Sequence, residues 1–276
     1  MFTKKIALLS IVCFLTTVNA YAQIPTNYYQ PADSLTGNVL RLALRDIIKD
    51  ENTFNQWNNY GSLWNGYKTT DKQSNGKLWD MYSDIPSGTP AYEYTLGSDQ
   101  CGNYNSEGDC YNREHTWPRS KFGGEQQDPN DDIIMVIPTD GYVNSKRADY
   151  SYGVVGNANW TSLNGSKVGN NSYPGYGGIV FEPIDEYKGD IARIMFYVAT
   201  RYYKLDGSFL DWEMASKTEL KPWALAMFLE WHRNDPVSAK ELDRNDAVYD
   251  FQGNRNPFVD HPEFVDCIWD TVNCPY

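Results

Sequence analysis

The part of the sequence that leaves the fewest options runs from Cys110 to Arg147. Cys110-Tyr111-Asn112-Arg113-Glu114-His115-Thr116-Trp117-Pro118 is a short strand-like segment, and Pro118 ends it because proline cannot donate to a ladder. A polar stretch from Arg119 to Asp132 follows, then the apolar run Ile133-Ile134-Met135-Val136-Ile137, then Pro138-Thr139-Asp140-Gly141-Tyr142-Val143-Asn144-Ser145-Lys146-Arg147. Pattern alone predicts a strand, a loop of about a dozen residues, a second strand and a helix with Thr139 or Asp140 as N-cap. On that helix Asn144 and Arg147 are three apart and face the same way. The expected unit is a hairpin packed on a helix that presents Glu114, His115, Asn144 and Arg147 together. Neighbours on a regular strand point to opposite faces, so Glu114 and His115 serve one site only where the strand ends or bulges.

These four residue types match one reaction. Hydrolysis of a phosphodiester needs a base for the attacking water and positive charge on the phosphorane and the leaving oxygen. Histidine suits the first task near neutral pH. A hard cation such as Mg²⁺ takes oxygen ligands and keeps several waters, so one carboxylate (Glu114) and one amide oxygen (Asn144) suffice from the protein. The planar fork of Arg147 is suited to a phosphate oxygen.

The ends of the chain bear on where such a protein works. Lys4 and Lys5 precede an apolar stretch from Ile6 to Leu15, and Ala20-Tyr21-Ala22 has the small-x-small pattern of a signal cleavage site, so residues 1–22 are expected to be an export leader. The stretch is short of the ~20 residues a membrane span needs. The expected product is a secreted or periplasmic protein of residues 23–276, one domain, with no membrane partner. It keeps Cys101, Cys110, Cys267 and Cys274. In an oxidising compartment two close pairs predict the disulfides Cys101–Cys110 and Cys267–Cys274. Zinc is the alternative, but C-x-x-C knuckles are missing. The formal charge of -12 becomes more negative once two leader lysines are removed, which argues against a surface that attracts nucleic acid everywhere and leaves room for a local basic groove. The acidic surface, an aromatic content of 15% and Gly/Asn-rich loops favour a rival class, a glycan-binding or adhesion module. Such a module needs no histidine beside a carboxylate.

Elsewhere Leu40, Ala43, Leu44, Ile47 and Ile48 form a helical stripe. Residues 52–109 read as loops and short strands. A helix is expected after Asp190 as N-cap, another from Pro222, and a fourth from the capping box Ser238-Ala239-Lys240-Glu241. The glycine-rich stretch 153–180 reads as a surface excursion. His232, on an apolar stripe, reads as a hydrogen-bonded core histidine, His261 as a turn or cap residue, and Asn254-Arg255-Asn256-Pro257 as a turn whose amides satisfy backbone groups. The class is α+β, mostly helical with irregular loops.

Asn112-Arg113-Glu114-His115-Thr116-Trp117-Pro118 resembles the active-site signature of the bacterial endonuclease I family, nucleases of the His-Me finger (ββα-metal) superfamily. The resemblance continues through residues 138–147, Phe181-Glu182-Pro183, Gly189-Asp190-Ile191-Ala192-Arg193, residues 231–238 and Gln252-Gly253-Asn254-Arg255-Asn256-Pro257-Phe258, so it spans most of the chain. It implies His115 as general base, Glu114 and Asn144 as ligands of one Mg²⁺ (Mn²⁺ or Ca²⁺ as alternatives), and Arg147 as a phosphate contact, with Arg113 and Arg119 as further substrate-binding arginines. The substrates implied are DNA and RNA, cut with little sequence specificity to leave 5′-phosphates, by a monomer. One departure stands out. The family's second strand commonly runs Asp-Leu-His-His-Leu, and this chain has Asp132-Ile133-Ile134-Met135-Val136. If those histidines assist catalysis, activity here is altered; if they pack, nothing is lost. A catalytically degenerate binding protein is the narrower rival.

Overall fold

A computed structural model describes residues 24–49, 59–124, 128–204 and 208–276; the expected leader lies outside them. Its helices are α1 (Gly37–Ile48), α2 (Leu63–Thr70), α3 (Gly141–Arg147), α4 (Lys188–Arg201), α5 (Pro222–Asn234), α6 (Ala239–Gln252), α7 (Pro257–Asp260) and α8 (Glu263–Trp269). Its strands are β1 (Tyr111–His115), β2 (Val136–Asp140), β3 (Ser151–Tyr152), β4 (Val155–Thr161), β5 (Lys167–Asn171), β6 (Ile179–Glu182), β7 (Ala215–Ser216) and β8 (Glu219–Leu220). The class is α+β, as expected.

The core is built round α4, which is buried from Gly189 to Arg201 and packs against α1, α5 and α7. α1 turns Leu40, Leu44 and Ile48 inward. At Gly189 the backbone of α4 comes so close to the end of α5 that a Cβ would collide with the carbonyl oxygen of Asp235. A helix buried all round is normally apolar, yet α4 carries Arg193. Its guanidinium is held by both carboxylate oxygens of Glu241 and by the carbonyl of Asp235. Glu241 also completes the capping box of α6 with Ser238, so one side chain links the start of α6 to the central helix. The turn before α7 behaves as read from sequence. Asn254 donates to Ile48 O, and Asn256 donates to Arg193 O while its Oδ1 caps α7. His232 is buried with Nε2 3.1 Å from Pro262 O, and His261 lies at the turn after α7 beside Glu263.

Several expectations need correction. Asp190 is not the N-cap of α4: the helix starts at Lys188, after a 3₁₀ turn at Asp185–Tyr187, and Asp190 is buried inside it. The region 52–109 contains α2, hidden in sequence by Asn65 and Gly66; Gly66 is required because Ile133 and Phe251 occupy the space of a Cβ. The stretch 153–180 is not an excursion but most of a four-stranded sheet, ordered β3-β6-β5-β4, with β3 parallel to β6 and the other pairs antiparallel. Its edge strand β4 is largely exposed, so no apolar alternation marks it. The second strand of the hairpin starts at Val136 rather than Ile133. Among the described residues no helix is long and apolar enough to cross a membrane. The disulfides are Cys101–Cys110 and Cys267–Cys274, with Cα–Cα distances of 5.7 and 4.4 Å.

Gly189→Ala should cost about 1–3 kcal/mol, because two packed backbones must separate to admit the methyl group. The urea midpoint of the purified protein measures this; an unchanged midpoint would mean that the α4–α5 contact yields freely.

Candidate active site

β1 and β2 pair antiparallel, with Tyr111 opposite Asp140, Arg113 opposite Pro138 and His115 opposite Val136. Pro138 faces Arg113 at a position whose backbone groups point away from the partner strand, so its missing N–H breaks no ladder bond. The carbonyls of Arg113 and His115 therefore face the other edge of β1, and α3 lies along that edge. Asn144 Nδ2 donates to Arg113 O at 3.2 Å and Arg147 Nη1 to His115 O at 3.0 Å, while Arg147 Nη2 donates to Thr116 O at 2.6 Å. One turn of helix thus spans alternate carbonyls of a strand. Asp140, rather than Thr139, caps α3, accepting from Val143 N; its other oxygen accepts from Tyr92, Tyr94 and Gly108.

Glu114 and His115 point to opposite sides of β1, and His115 is the strand's last residue. Glu114 is 2% exposed. Its Oε1 accepts from Tyr82, whose hydroxyl also meets that of Tyr152, and lies 3.1 Å from Arg147 Nη1. Burial pushes its carboxyl up to about 7, outweighing the opposing pull of Arg147 and the Tyr82 hydrogen bond. Among the described residues no hydrogen bond engages Oε2. Asn144 spends its Nδ2 on Arg113 O, which leaves its Oδ1 for a ligand. The two remaining acceptors, a carboxylate oxygen and an amide oxygen, fit a hard divalent cation that keeps most of its water. No cluster of three or more His, Cys, Asp or Glu suited to a metal occurs among the described residues, so a thiolate- or imidazole-rich centre has no counterpart here.

His115 packs between the rings of Tyr60 and Phe122, with centroids 5.6 and 5.7 Å away. Its Nε2 is 3.2 Å from Asn130 Oδ1, and Asn130 Nδ2 is committed to Asp131. That network makes Nε2–H the donor and leaves the lone pair on Nδ1. Burial, reinforced by the charges of Arg119 and Arg113, takes the imidazole down to about 3, so it is neutral over the physiological range. Arg113 stacks on Tyr60 at 3.4 Å and Arg119 lies 4.9 Å from the same ring. Both guanidiniums stand beside His115.

Arg147 is placed differently from expectation. It is 1% exposed, and its terminal nitrogens are engaged by Glu114, His115 O, Thr116 O and Ala148 O. A side chain enclosed this way braces the unit. Ile133 to Val136, where the family pattern has histidines, are buried core residues. Asn130, Tyr82, Tyr152 and Tyr60 are the site residues that sequence reasoning missed; only Asn130, close before the apolar run, carried any positional signal.

A strand ending in a buried histidine, with a carboxylate beside it and a helical amide docked on its open edge, is the arrangement expected of a ββα-type nuclease. Comparison with known proteins agrees: the family model for Endonuclease I matches residues 36–263, and the chain belongs to that family. It is 35% identical to an extracellular ribonuclease of Bacillus amyloliquefaciens, over 88% of this chain and 78% of that one. With an extracellular ribonuclease of Bacillus subtilis (strain 168) it shares 33% identity over 94% and 84%. An endonuclease-1 of Buchnera aphidicola is 29% identical over 46% of this chain and 45% of its own.

Arg147→Met should lower stability by about 3–5 kcal/mol, since it strands a buried carboxylate and frees the edge of β1. Denaturant unfolding without nucleic acid reads this; a residue whose role was to touch phosphate would leave stability within about 0.5 kcal/mol.

Proposed function

We propose that this protein is an exported, metal-dependent endonuclease that cleaves RNA and DNA with little sequence specificity and leaves 5′-phosphate ends. The observation that carries the proposal is the neutral, Asn130-oriented His115 at the end of β1, with Glu114 and Asn144 set on either side of the same strand edge. Relatives named as extracellular ribonucleases support RNA as a substrate and export as the destination, and two disulfides suit an oxidising compartment.

His115 Nδ1 takes the proton from the attacking water, and Asn130 holds the tautomer that makes this possible. Water adds to phosphorus as the bond to the 3′ oxygen breaks; that oxygen leaves with a proton from solvent, and the phosphate stays on the 5′ side. Phosphate bound beside Arg113 and Arg119 offsets the charges that depress the imidazole and so raises its basicity. Glu114 Oε2 and Asn144 Oδ1 would hold one Mg²⁺, or Mn²⁺ or Ca²⁺, which supplies Lewis acidity toward the phosphate oxygens. Tyr82 and Arg147 fix Glu114 through Oε1, so Oε2 would be the oxygen that takes the cation. Arg147 is thereby a positioning residue, and Arg113 and Arg119, which stand beside His115, would meet the phosphate.

The direct test is cleavage of supercoiled plasmid and single-stranded RNA by wild type and His115→Ala, each with Mg²⁺ and with EDTA. Wild type should cut only with metal, and the variant should be slower by at least the ~10²-fold of a lost general base. Equal rates would move the base elsewhere; no cutting with any divalent metal would leave a binding protein.

Glu114 generates a second prediction. Its carboxyl titrates near 7, so protons compete with the cation below that pH and the carboxylate is free above it. Mg²⁺ affinity by calorimetry should fall about fivefold between pH 7 and 6 and level off above 8. A flat profile would remove Glu114 from the ligand set.

A further inference from the structure

The Tyr173-Pro174-Gly175-Tyr176-Gly177-Gly178 segment plays no part in the centre just described, yet it is built with care. Tyr176 lies flat on Trp223, centroids 5.0 Å apart and planes at 15°. Gly178 is what lets the tyrosine ring fold back over its own chain, since a Cβ there would strike the Tyr176 ring. Gly175 has φ +98° and sits against Trp223 where a Cβ would clash. The glycines thus set one aromatic ring on another.

That ring lines a cavity of about 220 Å³, together with Lys121, Asp149, Tyr150, Ser151 and Glu213. Both acids are held by their backbones: Trp212 Nε1 donates to Asp149 O, and Trp223 Nε1 donates to Glu213 O. Their side chains are exposed. Ser151 is 1% exposed and its Oγ has no hydrogen-bond partner. The cavity adjoins the catalytic unit on two sides. Lys121 lies in the 3₁₀ turn that follows Pro118, and Asp149 lies two residues beyond α3, its carboxylate 3.4 Å from Ser120 Oγ.

We propose that this cavity is a base-binding subsite that takes a nucleobase of the strand being cut and prefers guanine. The proposal rests on the nuclease reading above. Two carboxylates against one lysine disfavour a phosphate there and favour N–H donors. A flat ring backed by indole is the platform that unpaired bases use in single strands. Guanine is the base whose Watson–Crick edge offers one acceptor, O6, beside two donors, N1–H and N2–H. Lys121 complements O6, and the Glu213 carboxylate, close enough to Tyr176 to act on its hydroxyl, complements both donors. Uracil would set carbonyls against the carboxylate, and adenine and cytosine each offer it one amino group next to a repelling lone pair. The subsite therefore acts on unpaired stretches of the strand, with a graded base preference instead of a recognition sequence.

Two measurements on the full-length mature protein test this. Cut sites in a randomised single-stranded RNA, read by sequencing, should be enriched in guanine at one fixed position by about fivefold or more. Titration with 5′-GMP and 5′-AMP in the presence of EDTA, followed by intrinsic fluorescence, should show tighter binding of 5′-GMP. Glu213→Gln should remove both preferences. An even base distribution at the cut sites, or a guanine preference that survives in Glu213→Gln, overturns the proposal while the nuclease reading stands. Glu213-dependent 5′-GMP binding without cleavage of any nucleic acid supports the subsite and overturns the nuclease reading.

Discussion

Everything in the centre depends on the buried pair between Glu114 and Arg147. A carboxylate and a guanidinium 3.1 Å apart, both almost fully enclosed, add little net stability, because what they gain from each other they lose in hydration. Their value is directional. Arg147 is planar, and its fork is shared between Glu114 and three backbone carbonyls, so it sets the angle at which α3 meets β1 and hence where Asn144 falls. Without that helix the strand would have a bare edge, which folded proteins rarely leave uncovered. The edge is capped by Asn144 and Arg147, whose side chains donate to its carbonyls.

The same logic explains how an acidic chain can handle a polyanion. Two guanidiniums are brought together beside His115. Arg113 and Arg119 would repel each other beside His115, but both lie against the electron-rich faces of Tyr60, which offsets part of that cost. The aromatic abundance that made a glycan-binding module a reasonable rival serves here to order guanidiniums, to enclose an imidazole and to back one ring with another.

Features whose causes are local were legible in the sequence. The α1 stripe, Pro222 at the start of α5, the Ser238 box and Asp140 as a cap all depend on neighbours a few residues away. The order strand, loop, strand, helix was legible for the same reason, as was the one-turn spacing of Asn144 and Arg147. What failed depended on distant partners. Asp190 has the chemistry of a cap, but Arg193 and the crowding around α4 draw it inside. The burial of Arg147 is likewise invisible in a linear pattern. The sheet that follows α3 is made of Gly and Asn as much as of apolar residues, and register with β5, not propensity, holds β4 in place. Tyr82, Tyr152 and Asn130 were hidden because a residue that orients another announces nothing in its own neighbourhood.

The Cys101–Cys110 disulfide sits at the joint of this machinery. Cys110 directly precedes β1, and its carbonyl accepts from Gly141, the first residue of α3, while Cys101 N donates to Tyr111 O. The crosslink therefore fastens the point from which strand and helix both depart. Such a bond closes only where thiols are oxidised. A chain still in a reducing compartment has that joint unfastened, so the step that ties strand to helix belongs to the compartment where the thiols are oxidised.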